Sequence, residues 1–146
     1  MLRPARLAVL TLLAGCLTLA ACDSGGDIEP LGGLIYVSLE SSTTLLLESE
    51  LDLPCGPRIA TEQQTLGGRF SVTVLGLEPT SGTCTGLAPV RRTLTIEPGS
   101  ATTFPIDIIY GGFVDEYRYT AGRAGSTPAR LDSVRTDVTR LGRRPQ

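Results

Sequence analysis

The chain of 146 residues contains no histidine, lysine, asparagine or tryptophan. Without histidine it lacks the commonest general base and the commonest transition-metal ligand. Its cations are therefore thirteen arginines, and its cysteines number four. That leaves no Cys/His cluster of the kind that holds zinc, so no metal site is expected. Walker, Rossmann, nucleophile-elbow and nucleic-acid motifs are also missing. No cofactor and no nucleic-acid partner is expected. Missing lysine and asparagine beside abundant Arg, Gly and Pro reads as coding bias rather than as a functional choice.

The N-terminus is patterned. Arg3 and Arg6 are the only charges before an apolar run from Leu7 to Ala21. A transmembrane helix needs about 20 apolar residues, and this run is shorter; with its basic start it reads as a signal peptide, residues 1–21. The run closes on Leu19-Ala20-Ala21-Cys22, followed by the hydrophilic Asp23-Ser24-Gly25-Gly26-Asp27. This stretch resembles the lipobox of bacterial lipoproteins. Leu13-Ala14-Gly15-Cys16 fits the same pattern, but it would leave an apolar stub after the lipid, which favours Cys22. The resemblance implies cleavage before Cys22, acylation of that residue and a membrane-anchored place in the bacterial envelope, at a periplasmic face or the outer membrane. Asp23 resembles an inner-membrane retention signal of enteric bacteria. Each buried CH₂ contributes about 0.8 kcal/mol, so two or three acyl chains hold a protein where one binds reversibly.

Removal of residues 1–21 leaves one small domain with tails. Cys16 would leave with the leader and Cys22 would carry lipid, so Cys55 and Cys84 remain as an even pair in an oxidising setting. They are expected to be bonded, the alternative being two buried thiols. Such a loop closure is worth roughly 3–4 kcal/mol in the chain-entropy reading. Residues 22–33 read as the lipidated cysteine and a flexible tether, 34–121 as a β-sandwich and 122–146 as a basic tail. From Asp23 to Ala121 five arginines face thirteen carboxylates; from Gly122 onward six arginines face Asp132 and Asp137.

Period-two alternation dominates the central region. Ile35, Val37 and Leu39 share one face of a strand, as do Phe70, Val72 and Val74 of another. Leu45, Leu47, Leu51 and Leu53 alternate with Glu48, Glu50 and Asp52. Pro98-Gly99 suits the centre of a type II turn, predicting that Thr102–Tyr110 returns as a hairpin beside Val90–Ile96. Pro105 places that strand at an edge or a bulge. Seven short strands predict an all-β, two-sheet antiparallel sandwich. Gly122–Thr127 reads as a linker. Leu131, Val134, Val138 and Leu141 then fall at helical spacing between Pro128 and Gly142, predicting a short C-terminal helix, with an eighth strand or disorder as alternatives.

The stretch Arg69–Ile108 resembles a bacterial family of Ig-like sandwich repeats in exported proteins. The resemblance rests on Val72-Thr73-Val74-Leu75-Gly76-Leu77, Cys84, Arg92-Thr93-Leu94-Thr95-Ile96, Gly99 and Phe104-Pro105-Ile106. It covers about a third of the mature chain and implies a fold without catalysis. The family's partner cysteine would lie near Ile108, where this chain has none; pairing must therefore use Cys55.

Among candidate sites, Glu48, Glu50 and Asp52 would form a solvated outer face or hold a hard cation. Asp115 and Glu116 are adjacent and point to opposite faces of a strand, so they make a poor acid–base pair. Tyr110, Phe113, Tyr117 and Tyr119 would form either a ligand-binding aromatic face or core. The arginine-rich tail would meet anionic lipid or fold back on the acidic domain. The expected function is that of a lipid-anchored, non-catalytic binding or structural module. Its expected partners are the membrane and an envelope protein or glycan, with a carboxylate-dependent hydrolase or a carbohydrate-binding lipoprotein as alternatives.

Overall fold

A computed structural model describes residues 28–54, 57–79, 85–123 and 127–146. Cys16, Cys22, Cys55 and Cys84 lie outside them. Among the described residues the chain is all-β, with no helix. The strands are β1 (Ile35–Ser41), β2 (Thr44–Pro54), β3 (Arg58–Leu66), β4 (Arg69–Glu78), β5 (Leu87–Thr95), β6 (Thr103–Tyr110), β7 (Phe113–Thr120), β8 (Arg130–Arg135) and β9 (Thr139–Leu141). They form a four-stranded sheet, β5-β2-β1-β9, and a five-stranded sheet, β3-β4-β6-β7-β8.

Alternation decides which faces meet. Ile35, Val37, Leu45 and Leu47 from one sheet, and Val72, Ile106, Ile108 and Tyr117 from the other, are completely buried in a shared core. Each such side chain contributes about 1.5–3 kcal/mol by leaving water. The two Gly-Gly pairs make tight hairpins: Gly67 and Gly68, between β3 and β4, and Gly111 and Gly112, between β6 and β7, all have positive φ. A two-residue type I′ turn demands that conformation.

Several expectations change. Among the described residues the sandwich has nine strands rather than seven, and its sheets are mixed, because β1 pairs in parallel with β9 and β4 with β6. β5 and β6 lie in different sheets, so the connection around Pro98 crosses the sandwich and is no hairpin. Its turn is offset by one residue, with Ala101 N–H donating to the Pro98 carbonyl. Pro105 sits in a central strand. Ala121 N–H donates to the Thr102 carbonyl, so even-numbered residues of β6 bond β7 and the Pro105 nitrogen faces β4. That ladder begins only at Phe70↔Ile106, which leaves room for a missing donor.

The predicted C-terminal helix is two strands. Leu131 packs opposite Tyr119 as β8 pairs with β7, while Val134 and Leu141 are exposed. The helical spacing of these residues is therefore coincidental. The free edge of β7 offered a ladder, which a short Val- and Thr-bearing segment fills better than a solitary helix. The segment read as a tail supplies one strand to each sheet. At the other terminus Leu31 is only 3 % exposed and joins the core, so part of the predicted tether belongs to the domain.

Candidate functional site

The N-terminal segment is clamped where it reaches the sandwich. Glu29 N–H donates to the Leu77 carbonyl at 3.0 Å, and Leu77 N–H donates to the Glu29 carbonyl at 2.7 Å. Gly76 makes the approach possible: a Cβ there would stand 2.3 Å from the Glu29 carbonyl oxygen, and its φ is +142°. Two residues on, the Tyr110 hydroxyl donates to the Leu31 carbonyl, and burial raises that phenol's pKa. Leu34 N–H then donates to Glu50 Oε2 at 3.0 Å while Glu50 N–H donates to the Leu34 carbonyl. Residues 28–34 thus form a strap fixed at successive points.

Beside this strap lies an open hollow of about 380 Å³, lined by Ile28, Pro30, Val74, Leu75, Tyr110, Gly111, Phe113 and Val138. The strap, the end of β4, the β6–β7 turn and the β8–β9 crossover converge there. Phe113 is 51 % exposed, Ile28 47 % and Leu75 42 %. Such grouping differs from the scattered apolar side chains normal on a surface. The hollow offers apolar contact; among the described residues that line it there is no carboxylate, thiol or arginine.

A buried polar knot holds the adjoining crossover. The Asp115 side chain is inaccessible to solvent. Its Oδ1 accepts from Asp137 N–H at 2.7 Å, and its Oδ2 accepts from Val138 N–H at 3.0 Å, Thr139 N–H at 2.6 Å and the Thr139 hydroxyl at 2.6 Å. Burial works to raise its pKa, but the Thr139 hydroxyl and the three backbone donors outweigh that and lower it. Tyr117 shares a hydrogen bond with Thr139 Oγ1. Burial is the main reason its phenol is pushed up to about 12. A carboxylate saturated by structural donors is a poor proton acceptor for a substrate.

The acidic row on β2 is paired within the fold, with Glu48 almost buried, Glu50 half-buried and Asp52 exposed. Glu48 Oε1 accepts from Arg91 at 2.9 and 3.1 Å and is almost buried. Glu50 caps the start of β1, and Asp52 pairs with Arg144. The charged groove between these groups holds about 340 Å³ and is closed on one side by Arg143, Arg144, Pro145 and Gln146. The basic terminus therefore folds back on the acidic sheet. On the opposite sheet Arg69 binds Asp107 at 2.6 Å, with Glu116 at 3.9 Å. Asp115 and Glu116 do point to opposite faces. A smaller polar hollow of about 220 Å³ lies between Gln63, Gln64, Thr65, Phe70, Thr95 and Glu97. Among the described residues no cluster of His, Cys, Asp or Glu could hold a metal ion.

The four aromatic candidates split. Tyr117 and Tyr119 are core, Tyr119 donating to the Ser42 carbonyl at 2.6 Å and stacking at a tilt on Phe104. Tyr110 and Phe113 do reach a surface hollow. Sequence reading missed their neighbours Ile28 and Leu75. One signal was present: after Arg69, Ser71 and Thr73, the outward face of β4 turns apolar at Leu75.

No protein-family model matches the chain, and comparison with curated proteins and with solved structures finds no match.

Proposed function

We propose that this chain is a lipid-anchored bacterial envelope protein, acylated at Cys22, whose sandwich works by contact rather than by catalysis. The observation that carries this reading is the strap. A tether that begins at an acylated residue 22 would meet the fold at Glu29, where reciprocal backbone bonds to Leu77 fix it. A pull on the anchor then runs into a sheet rather than into a loose terminus. The Leu19-Ala20-Ala21-Cys22 motif supplies the chemistry of attachment. The alternative of a carboxylate hydrolase gains nothing from Glu48, Asp107 or Asp115, each of which is committed to a partner inside the fold.

Cys55 and Cys84 form a disulfide in the same reading. Pro54 at the end of β2 pairs with Leu87 at the start of β5, so the two connections that carry the cysteines leave from adjacent backbone, as a bridge requires. A non-reduced digest analysed by mass spectrometry should contain the two peptides linked; alkylation of both thiols before reduction refutes the pairing. The anchor is tested by Cys22→Ser: membrane fractionation should shift the protein to an uncleaved or soluble form. Unchanged detergent partitioning would remove the reading. Crosslinking of the lipidated protein in its own membranes, followed by identification of a stoichiometric partner, separates a binding module from an enzyme.

A further inference from the structure

We propose that the strap end of the sandwich is a membrane-docking surface, its apolar side chains resting in the headgroup and acyl boundary of the bilayer that holds the anchor. The inference rests on the acylation of Cys22 proposed above. Only six residue steps separate Cys22 from Ile28. At about 3.3–3.6 Å per residue the tether spans no more than ~22 Å. Clamping of Glu29 on Leu77 means that this slack is not extended by fraying of the strap. The strap end therefore stays within reach of the bilayer, and the rigid sandwich carries its other end away.

The end held near the lipid carries most of the exposed large apolar side chains, beside the exposed carboxylates Glu29, Glu78 and Asp137. Ile28, Leu75, Phe113 and Val114 are exposed around the hollow and the β6–β7 turn, and Leu51 and Leu87 are exposed where β2 and β5 end on the same side of the molecule. Among the described residues, the opposite end carries Ser42-Thr43, Gly67-Gly68, Pro98-Gly99-Ser100 and part of the β7–β8 connection with the exposed Arg123, and Leu66 is the large apolar side chain exposed there. Arg135 donates to the Val114 carbonyl, which places a guanidinium at the rim, where lipid phosphates would lie. Tyr110 adds an amphipathic ring of the type that favours this boundary. The bilayer is the occupant this placement fits, since a partner protein would not have to lie within a tether's length of the acylated residue.

The absence of tryptophan makes the test direct. Phe113→Trp and, as a control, Leu66→Trp each give the full-length lipoprotein a single reporter at an exposed position. Intact mass first establishes acylation of Cys22, and thermal melts establish that both variants fold like the parent. Each is reconstituted into vesicles whose lipids carry bromine on the acyl chains at a depth of about 5–10 Å below the headgroups, where interfacial apolar side chains sit. Emission from Phe113→Trp should be lost in part relative to unbrominated vesicles, and that from Leu66→Trp should not change. Equal quenching, or none, at the two sites overturns the docking while leaving the anchor intact. A blue-shifted Phe113→Trp that bromine does not quench would mean that the hollow holds the protein's own acyl chain, and also overturns it. A mature protein without acyl groups removes the anchor and the docking together, an outcome that the mass measurement reports separately.

Discussion

The two ends of the sandwich are built differently. At the far end, hairpins close through Ser, Thr and Gly, and nothing lies within 4 Å of where a Cβ would stand on Gly67 or Gly68. At the strap end the chain is held by backbone pairs to a foreign strand, by the Glu50 and Tyr110 side chains and by a carboxylate with four donors. The far end closes mainly through turns between strands adjacent in sequence, joined by the β5–β6 crossover and by the Tyr119 hydroxyl donating to the Ser42 carbonyl. The strap end gathers segments distant in sequence, including both sheet crossovers of the cysteine-bearing connections. Long-range closure is entropically costly, and the strap end, which gathers more of it, carries the larger group of specific polar anchors.

Asp115→Ala should therefore produce the largest effect. It leaves three backbone N–H groups of the β8–β9 crossover and the Thr139 hydroxyl without their acceptor. A loss of about 3–5 kcal/mol is expected, much of the stability of a domain of this size, as read by urea unfolding. The same group gives an acid limb. Because its pKa is lowered in the fold, its contribution is complete above the ordinary carboxylate value of about 3.9 and is lost as pH falls through the lowered folded value. Asp115→Asn should flatten that limb in pH-dependent melts; an unchanged acid limb would assign it to another carboxylate.

Next in size is the glycine contrast. Gly76→Ala would drive a methyl into the Glu29 carbonyl, and release of the strap with its two backbone bonds should cost about 2 kcal/mol. Hydrogen exchange at the Glu29 and Leu77 amides should accelerate. Gly68→Ala meets open space and bears only the positive-φ penalty, about 1 kcal/mol, without a change in exchange at the strap. Equal costs and equal exchange patterns would erase the distinction between the ends.

Smaller still, Phe113→Ser and Leu66→Ser should each leave stability within about 0.5 kcal/mol, since both side chains are exposed. Arg144→Ala should change the melt least, because the partner Asp52 is exposed to solvent and surface ion pairs are screened. Its effect should shrink further as salt is raised. A large or salt-independent effect would mean that the folded-back terminus holds the acidic sheet together.

Much of the architecture was legible in single residues. Alternation at Ile35, Val37, Phe70, Val72 and Val74 placed these side chains inward, because a pleated strand leaves no other way to bury them. The Gly67-Gly68 and Gly111-Gly112 pairs held a hairpin signal that the sequence reading did not use, since glycine accepts positive φ without strain. Leu51 was misread: β2 shifts register between Glu48 and Asp52, where the buried Ser49 hydroxyl accepts from Val90 N–H and donates to the Leu51 carbonyl. A bulge reassigns faces, and alternation cannot reveal it.

The sequence by itself determined that this is a β protein with two apolar sheet faces, since period and turn chemistry are local properties. It also carries Leu19-Ala20-Ala21-Cys22, the local motif on which the proposed anchor rests. Only the tertiary structure decided where distant segments go. It turned Arg130–Leu141 into strands of two sheets, made Asp115 the acceptor for a crossover more than twenty residues away, and divided Tyr117 and Tyr119 from Tyr110 and Phe113. Those outcomes depend on which edge remains free and which donors lack partners once the sheets have met. No window of neighbouring residues contains that information.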